Sequence, residues 1–260
     1  MLAVIVAATM GPAPTALAQG HGQPQGKPKY VFETLFEVRN GATDAFDRYW
    51  AALKESAEQG ADAPWRFVDG QAHGSGRRVT LPVTRLAEYG FDRRNEAVLR
   101  ASLGEEAAGM LIQQFNQAQV SRASYLRQFR DDLSVRRDQH GRTAATEVTF
   151  VTVTVGREPV FERAWRRGAE ALAKTDPAFV ATVARTLVGG GPQFVIARPA
   201  HERVPRTFPV ADLVAAVGVV SGEGAALDVA GMFEATGAMW RTELYRNLGY
   251  DTTGGASSHR

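Results

Sequence analysis

The sequence predicts an α+β fold in which one small module is used twice, and three observations predict it. Phe46-Asp47-Arg48-Tyr49-Trp50 returns 115 residues later as Phe161-Glu162-Arg163-Ala164-Trp165. The same offset relates Thr34 to Thr149, Val38 to Val153, Gly41 to Gly156 and Gly76 to Gly191. Around these anchors the order of strand-type and helix-type stretches is the same in both halves. Self-similarity at a fixed spacing marks repeated structural units. A chain of 260 residues leaves each copy about a hundred residues, enough for its own core.

In the first copy, Val31 to Arg39 reads as a strand because Val31, Phe32, Thr34, Phe36 and Val38 favour extended backbone. Asn40-Gly41 ends it, and Thr43 or Asp44 can cap the helix that follows. Phe46, Tyr49, Trp50, Leu53 and Ala57 recur at helical spacing and mark a buried face. Gly60 to Pro64 breaks that helix. Trp65 to Gln71 and Arg78 to Val83 read as two strands joined through His73-Gly74-Ser75-Gly76. Phe91 to Ser102 holds a short helix, and Glu105 to about Arg122 a longer one. Glu105 and Glu106 suit the N-terminus of that helix. Ser124 to Phe129 is a closing strand or the end of the helix.

The second copy repeats the order. Glu147 to Val155 is rich in Val and Phe, and Pro159 suits the first turn of the next helix. Phe161, Ala164, Trp165, Gly168 and Leu172 share one face of that helix. Phe179 to Thr186 and Gln193 to Arg198 form the second hairpin. Pro209 to Val219 and Glu223 to Ala238 are helices, and Trp240 to Arg246 closes the copy. Here the offset grows from 115 to 118, pairing Phe115 with Phe233. An insertion between hairpin and helix accounts for the change.

The order β-α-β-β-α-β, used twice, is a tandem of ferredoxin-like split βαβ units. The strand-to-helix joins Val38-Arg39-Asn40-Gly41 and Val153-Thr154-Val155-Gly156, the Phe-x-x-x-Trp helices and the Gly-rich hairpins carry a resemblance. They resemble the dimeric α/β-barrel superfamily, which includes the antibiotic-biosynthesis monooxygenases. The resemblance covers about residues 30 to 130 and 145 to 250. It implies an intrachain pseudo-dimeric α/β barrel, with two sheets face to face and helices outside. A pocket is then expected within the barrel or between sheet and helices. The resemblance also brings three functions into view. These are cofactor-independent monooxygenation of a small aromatic substrate, haem binding through a histidine such as His73 or His201, and binding without catalysis. It is compatible with a homodimer of the whole chain. A fold does not fix a function.

The remaining segments have their own signatures. Leu2 to Met10 is almost wholly apolar and Ala16-Leu17-Ala18 follows. An apolar core before A-x-A is a secretory signal peptide, here residues 1–18, and is too short to span a bilayer. The expected location is therefore periplasmic or secreted, with no membrane attachment after cleavage. No Lys or Arg precedes the apolar core, so the true start can lie elsewhere than Met1. Residues 19–29 are Gly-, Pro- and Gln-rich and read as a flexible leader. Residues 131–144 are a polar linker and 251–260 a loose tail. The chain has no cysteine, which excludes disulfides and thiolate metal sites, so an exported form depends on its core.

Motif chemistry is sparse. The net charge is +2 and the basic residues are scattered, which argues against a nucleic-acid partner. No two of His21, His73, His140, His201 and His259 lie three or four apart. A helical metal pair is thereby excluded, and neither a metal nor another cofactor is expected. Ser75 between glycines resembles a nucleophile elbow, but the G-x-S-x-G pattern and its strand-to-helix context are missing. Gly189-Gly190-Gly191 precedes a strand, which makes it a turn and not a phosphate cradle. Trp50 and Trp165 sit at helical spacing with Phe46 and Phe161, which makes them core residues before ligand-stacking ones.

Strand alternation offers the sharpest clue. On the first strand Phe32, Thr34, Phe36 and Val38 share the face that helices need. Glu33, Leu35, Glu37 and Arg39 share the other. The counterparts of that mixed face in the second copy are Val148, Phe150, Thr152 and Thr154. A few polar groups against an apolar wall is how small-molecule sites are built. The expected ligand site is therefore Glu33, Glu37 and Arg39 with Phe150 and Thr152. A buried Glu33 or Glu37 would have a raised pKa and act as a base. The competing reading pairs these carboxylates with Arg39, Arg66 or Arg78. The functional expectation is an exported protein that binds a small molecule or a partner in or near a barrel pocket.

Overall fold

A computed structural model describes residues 27–61, 66–72, 74–84, 86, 91–137, 143–200 and 210–250. The first repeat contains β1 (Tyr30–Val38), α1 (Thr43–Glu58), β2 (Phe67–Gln71), β3 (Gly76–Val83), α2 (Phe91–Leu103), α3 (Glu105–Ala118) and β4 (Gln119–Phe129). The second contains β5 (Ala145–Thr152), α4 (Glu158–Thr175), β6 (Thr182–Val188), β7 (Phe194–Pro199), α5 (Val210–Ser221), α6 (Glu223–Ala235) and β8 (Met239–Asn247). The strands close into a barrel in the order β1-β3-β2-β8-β5-β7-β6-β4. All pairings are antiparallel. This is the α+β tandem barrel expected from the sequence.

Alternation decides which side chains meet helices. Phe36 and Val38 of β1 join Phe46, Tyr49, Trp50 and Leu53 of α1 and Phe115 of α3 in one buried cluster. Val151, Phe194 and Ile196 join Phe161 and Trp165 of α4 and Phe233 of α6 in another. Tyr49 stacks on Phe115 with centroids 3.9 Å apart, and Phe161 lies 4.6 Å from Phe194. Trp50 is 3% exposed and Trp165 is fully buried. Burying such rings supplies much of each core's stability.

The two halves are joined along two short seams. β4 meets β6 through Leu126–Phe129, and β2 meets β8 through Tyr245–Asn247. The first halves of β4 and β8 are therefore laddered on one side only, to β1 and β5. At the first seam the turn Gly189–Gly191 packs on Tyr125, all three glycines having positive φ.

Register corrects two sequence expectations. Val68 on β2 lies opposite Val79 on β3, and Val183 on β6 opposite Ile196 on β7. The offset is thus 115 before the hairpin turn and 117 after it, and it reaches 118 at Gly104 and Gly222. Two of the three inserted residues lie inside the second hairpin, so Gly191 belongs to its longer turn and is not the counterpart of Gly76. The other correction is at the close of each repeat. α3 ends at Ala118, and an eleven-residue strand begins at Gln119. β-branched Val120 and the alternation that follows override the helical reading to Arg122.

The leader and linker are also more structured than composition suggests. The ladder extends to Lys29, whose amide donates to the Val83 carbonyl and whose carbonyl accepts from Phe129. In the linker, Leu133 is buried in the second repeat's core. Its carbonyl accepts the Trp165 indole N–H at 2.7 Å. Arg136 caps the C-terminal end of α4 by donating to carbonyls of Ala173, Pro177 and Phe179.

Candidate ligand site in the barrel lumen

The mixed face of β1 points into the barrel. Leu35 packs with Val148, Phe150, Val195 and Tyr245 from the second repeat. Glu33 lies in the same lumen, 1% exposed. On neighbouring strands it sits beside Thr80 and Tyr125, while Arg78 sits beside Leu35 and Asp69.

Glu33 is held from two sides. Arg78 Nε donates to Oε1 at 2.6 Å, and Arg127 Nε donates to Oε2 at 2.7 Å. Arg78 Nη1 lies 3.7 Å from Asp69 Oδ2. Arg127 also donates to Thr186 Oγ1 and to the Pro192 carbonyl across the seam, and stacks 4.4 Å from the Tyr125 ring centroid. Burial alone would push the Glu33 pKa up, but the charges and hydrogen bonds of Arg127 and Arg78 outweigh it and hold the pKa below its usual value. The expectation of Glu33 as a base with raised pKa is thereby corrected, because two guanidiniums keep it ionised. The competing ion-pair reading fits Glu33, with Arg127 as an addition that reading did not contain.

Burial, followed by the Glu243 carboxylate that accepts its hydroxyl, pushes the Tyr245 phenol well up. Tyr245 therefore stays protonated at any physiological pH. Neither Glu33 nor Tyr245 is placed to shuttle a proton. The arrangement presents fixed charge and fixed dipoles, which suits recognition.

The other expected site residues are spread along one end of the lumen. Phe150 is buried, with the Arg241 guanidinium 4.9 Å from its ring centroid. Thr152 is half-buried at the last position of β5, opposite Met239. Glu37 is exposed and accepts a hydrogen bond from Ser121 Oγ at 3.3 Å. Arg39 lies beyond β1 and donates to the Gln117 carbonyl at the end of α3, which takes it away from the others. The structure thus brings Glu33 and Phe150 into the lumen and leaves Glu37 and Thr152 at its rim. Asp69, Tyr125, Arg127, Arg241, Glu243 and Tyr245 are further lumen residues that the sequence reading did not name. The alternations Tyr125-x-Arg127 and Glu243-x-Tyr245 are the signals that point to four of them.

The two repeats contribute unequally. Matching cross-strand register puts Val148 at the place of Glu33, Val195 at that of Arg78, Ala184 at that of Asp69 and Tyr245 at that of Arg127. At these four places one repeat has a charged quartet and the other has three apolar residues and a phenol, with the Glu243–Arg241 pair beside them on β8.

Among the described residues no cluster of three His, Cys, Asp or Glu side chains is arranged to hold a metal ion. No described helix is long and apolar enough to cross a membrane. All five histidines, and with them His73 and His201, lie outside the described residues, as do the A-x-A segment and the tail.

Fold and lumen together define a single-chain tandem α/β barrel whose two inner walls differ at the equivalent positions of the two repeats. No protein-family model matches the chain, and no curated protein matches it in sequence. Among solved structures it is similar to an anthrone oxidase-like protein, with 14% identity, a TM-score of 0.45, and coverage of 85% of this chain and 92% of the other. It is also similar to a mutant chlorite dismutase from Candidatus Nitrospira defluvii in complex with cyanide, with 11% identity, a TM-score of 0.44, and coverage of 86% and 92%. Likeness of this degree says nothing about activity, ligand or partner.

Proposed function

We propose that this chain is an exported protein, periplasmic or secreted, that binds a small molecule in its lumen. The observation that carries the reading is the pairing of a charged quartet with three apolar residues and a phenol at pseudo-equivalent positions. A lumen that served only as core has no use for four charges where Val148, Ala184, Val195 and Tyr245 serve at the equivalent positions of the other repeat. Leu35, Phe150 and Val195 supply the apolar surface, Arg241 and Glu37 the polar rim. Such a wall suits a ligand with an apolar body and one polar or anionic end.

The test is native mass spectrometry and a visible spectrum of the mature protein, purified without denaturation. A co-purifying small molecule that is lost in Phe150→Arg supports the reading. A protein that is ligand-free and stays so when offered a cell-extract metabolite fraction counts against it. Oxygen uptake with small aromatic substrates would replace it by a monooxygenase, and a Soret band by a haem protein. For export, the expected mature N-terminus is Gln19; a secreted chain that retains Met1 would rule out cleavage after Ala18.

A further inference from the structure

The lumen meets solvent at the end where β1 finishes and β4 and β8 begin. Inward-facing side chains grow more exposed towards that end on all three strands. On β1, Glu33 is buried, Leu35 half-buried and Glu37 exposed. On β4 the series is Arg127, Tyr125 and then Ala123 and Ser121, both exposed. On β8, Tyr245 is buried, Glu243 half-buried, and Arg241 and Met239 exposed. The side chains at this mouth are therefore within reach of a solute.

Arg241 is the cation that this mouth presents, and its guanidinium is held on two sides. Nε lies 3.1 Å from Glu243 Oε1. Cζ stands over the Phe150 ring, 4.9 Å from its centroid. Glu243 is fixed in turn, because its Oε2 accepts the Tyr245 hydroxyl. The Arg241 side chain is 64% exposed. Among the described residues no other carboxylate meets it, which leaves the Nη1–Nη2 edge to solvent. An exposed ion pair of this kind contributes little to stability. Nor does the fold require it: at the matching register the first repeat has Ala123 for Arg241, Tyr125 for Glu243 and Leu35 for Phe150.

We infer that Arg241 receives the carboxylate of the lumen ligand, and that this ligand is a monocarboxylic acid with a small apolar body. The inference rests on the proposal that the lumen binds a small molecule, and names the class. The Nη1–Nη2 edge offers two parallel N–H groups, which match the two oxygens of a carboxylate. A guanidinium already anchored at Nε loses little freedom on taking it. Glu243 beside Arg241 and Glu37 on the rim repel a second negative charge, which disfavours dicarboxylates and phosphate esters. Met239, 68% exposed and two positions from Arg241 on the same face of β8, offers an adaptable thioether to the apolar body.

The experiment is a 19F titration of the whole purified chain with 4-fluorobenzoate and with 4-fluorobenzamide, a neutral compound of the same shape. The acid should bind saturably, and the amide roughly tenfold more weakly or worse, because a charge-assisted pair is lost. Arg241→Gln, at an exposed side chain, should weaken the acid by a similar factor and leave the amide unchanged. Equal binding of acid and amide, or undiminished binding of the acid in Arg241→Gln, would overturn the inference while a lumen ligand of another class still stands. The dianion 2-fluoroterephthalate binding more tightly than 4-fluorobenzoate would overturn the monocarboxylate. If neither benzoate nor benzamide binds saturably the inference also falls. A small molecule that nonetheless co-purifies with the chain then keeps the lumen as a binding site, and a ligand-free chain removes both.

Discussion

Arg127 reaches across from β4 to Glu33 on β1 with Nε and Nη2 both 2.7 Å from one carboxylate oxygen. Arg78 takes the other oxygen. With Glu33 and Arg127 each 1% exposed, this is a buried ion triad and not a surface contact.

Removing one partner of such a triad strands the others. Glu33→Gln should therefore cost about 3–5 kcal/mol, read as a shift in the urea midpoint. Carrying the second repeat's residues into the first, as Glu33→Val with Asp69→Ala, Arg78→Val and Arg127→Tyr, should be neutral or stabilising by the same argument. A single variant as stable as the parent would mean that water or another cation replaces the carboxylate.

Acid stability follows from the same carboxylate and from Asp132. Both pKa values are lowered, that of Asp132 to about 2 chiefly by its hydrogen bond from Arg130. A depressed carboxylate stabilises the fold fully above its unfolded pKa, which is 4.5 for Glu33 and 3.8 for Asp132. That contribution is lost as pH falls through the folded value. Melting temperature should thus owe no decline to these groups between pH 8 and about pH 5, and fall below about pH 4. Glu33→Gln should flatten the acid limb; a limb as steep as the parent's would assign it to other groups.

The two tryptophans should respond differently to loss of the indole N–H, because Trp50 Nε1 is buried with no hydrogen-bond partner among the described residues. Trp165→Phe leaves the Leu133 carbonyl without its donor and should cost about 1–3 kcal/mol more than Trp50→Phe. Chemical denaturation of the two variants side by side decides it. Equal costs would show that the Leu133 bond contributes nothing net.

The seam turn gives a paired test. A Cβ at Gly189 would lie 2.5 Å from the Ser124 carbonyl oxygen, at φ +112°. Gly190, at φ +66°, faces open space. Gly190→Ala should cost about 1–2 kcal/mol of left-handed strain, and Gly189→Ala clearly more, because backbone must also move. Equal midpoints would show that the β4–β6 seam yields without penalty.

The architecture was legible because repetition, helical spacing and strand alternation are local signals that survive in one chain. Alternation also put Glu33 and Leu35 on the lumen side and Phe36 on the helix side. The partner of Glu33 was not legible. Arg127 sits 94 residues away, and register across two strands, not sequence spacing, brings it there. The split of the three inserted residues was hidden for a similar reason: Gly76 and Gly191 share a residue type and an offset, and only the strand ladders show that their places differ. Arg39 was misleading because alternation places it on the Glu37 face, while β1 stops at Val38 and its side chain turns to the end of α3.

Covalent fusion of the two modules changes what their inner walls are free to be. Two identical modules assembled about a two-fold axis would place every Glu33 and Arg127 twice, giving two charged quartets. With both modules in one chain, that symmetry no longer binds the side chains. Val148, Ala184, Val195 and Tyr245 can then differ from Glu33, Asp69, Arg78 and Arg127 while the backbone keeps its pairing. The result is a chamber with a direction, able to orient whatever enters it.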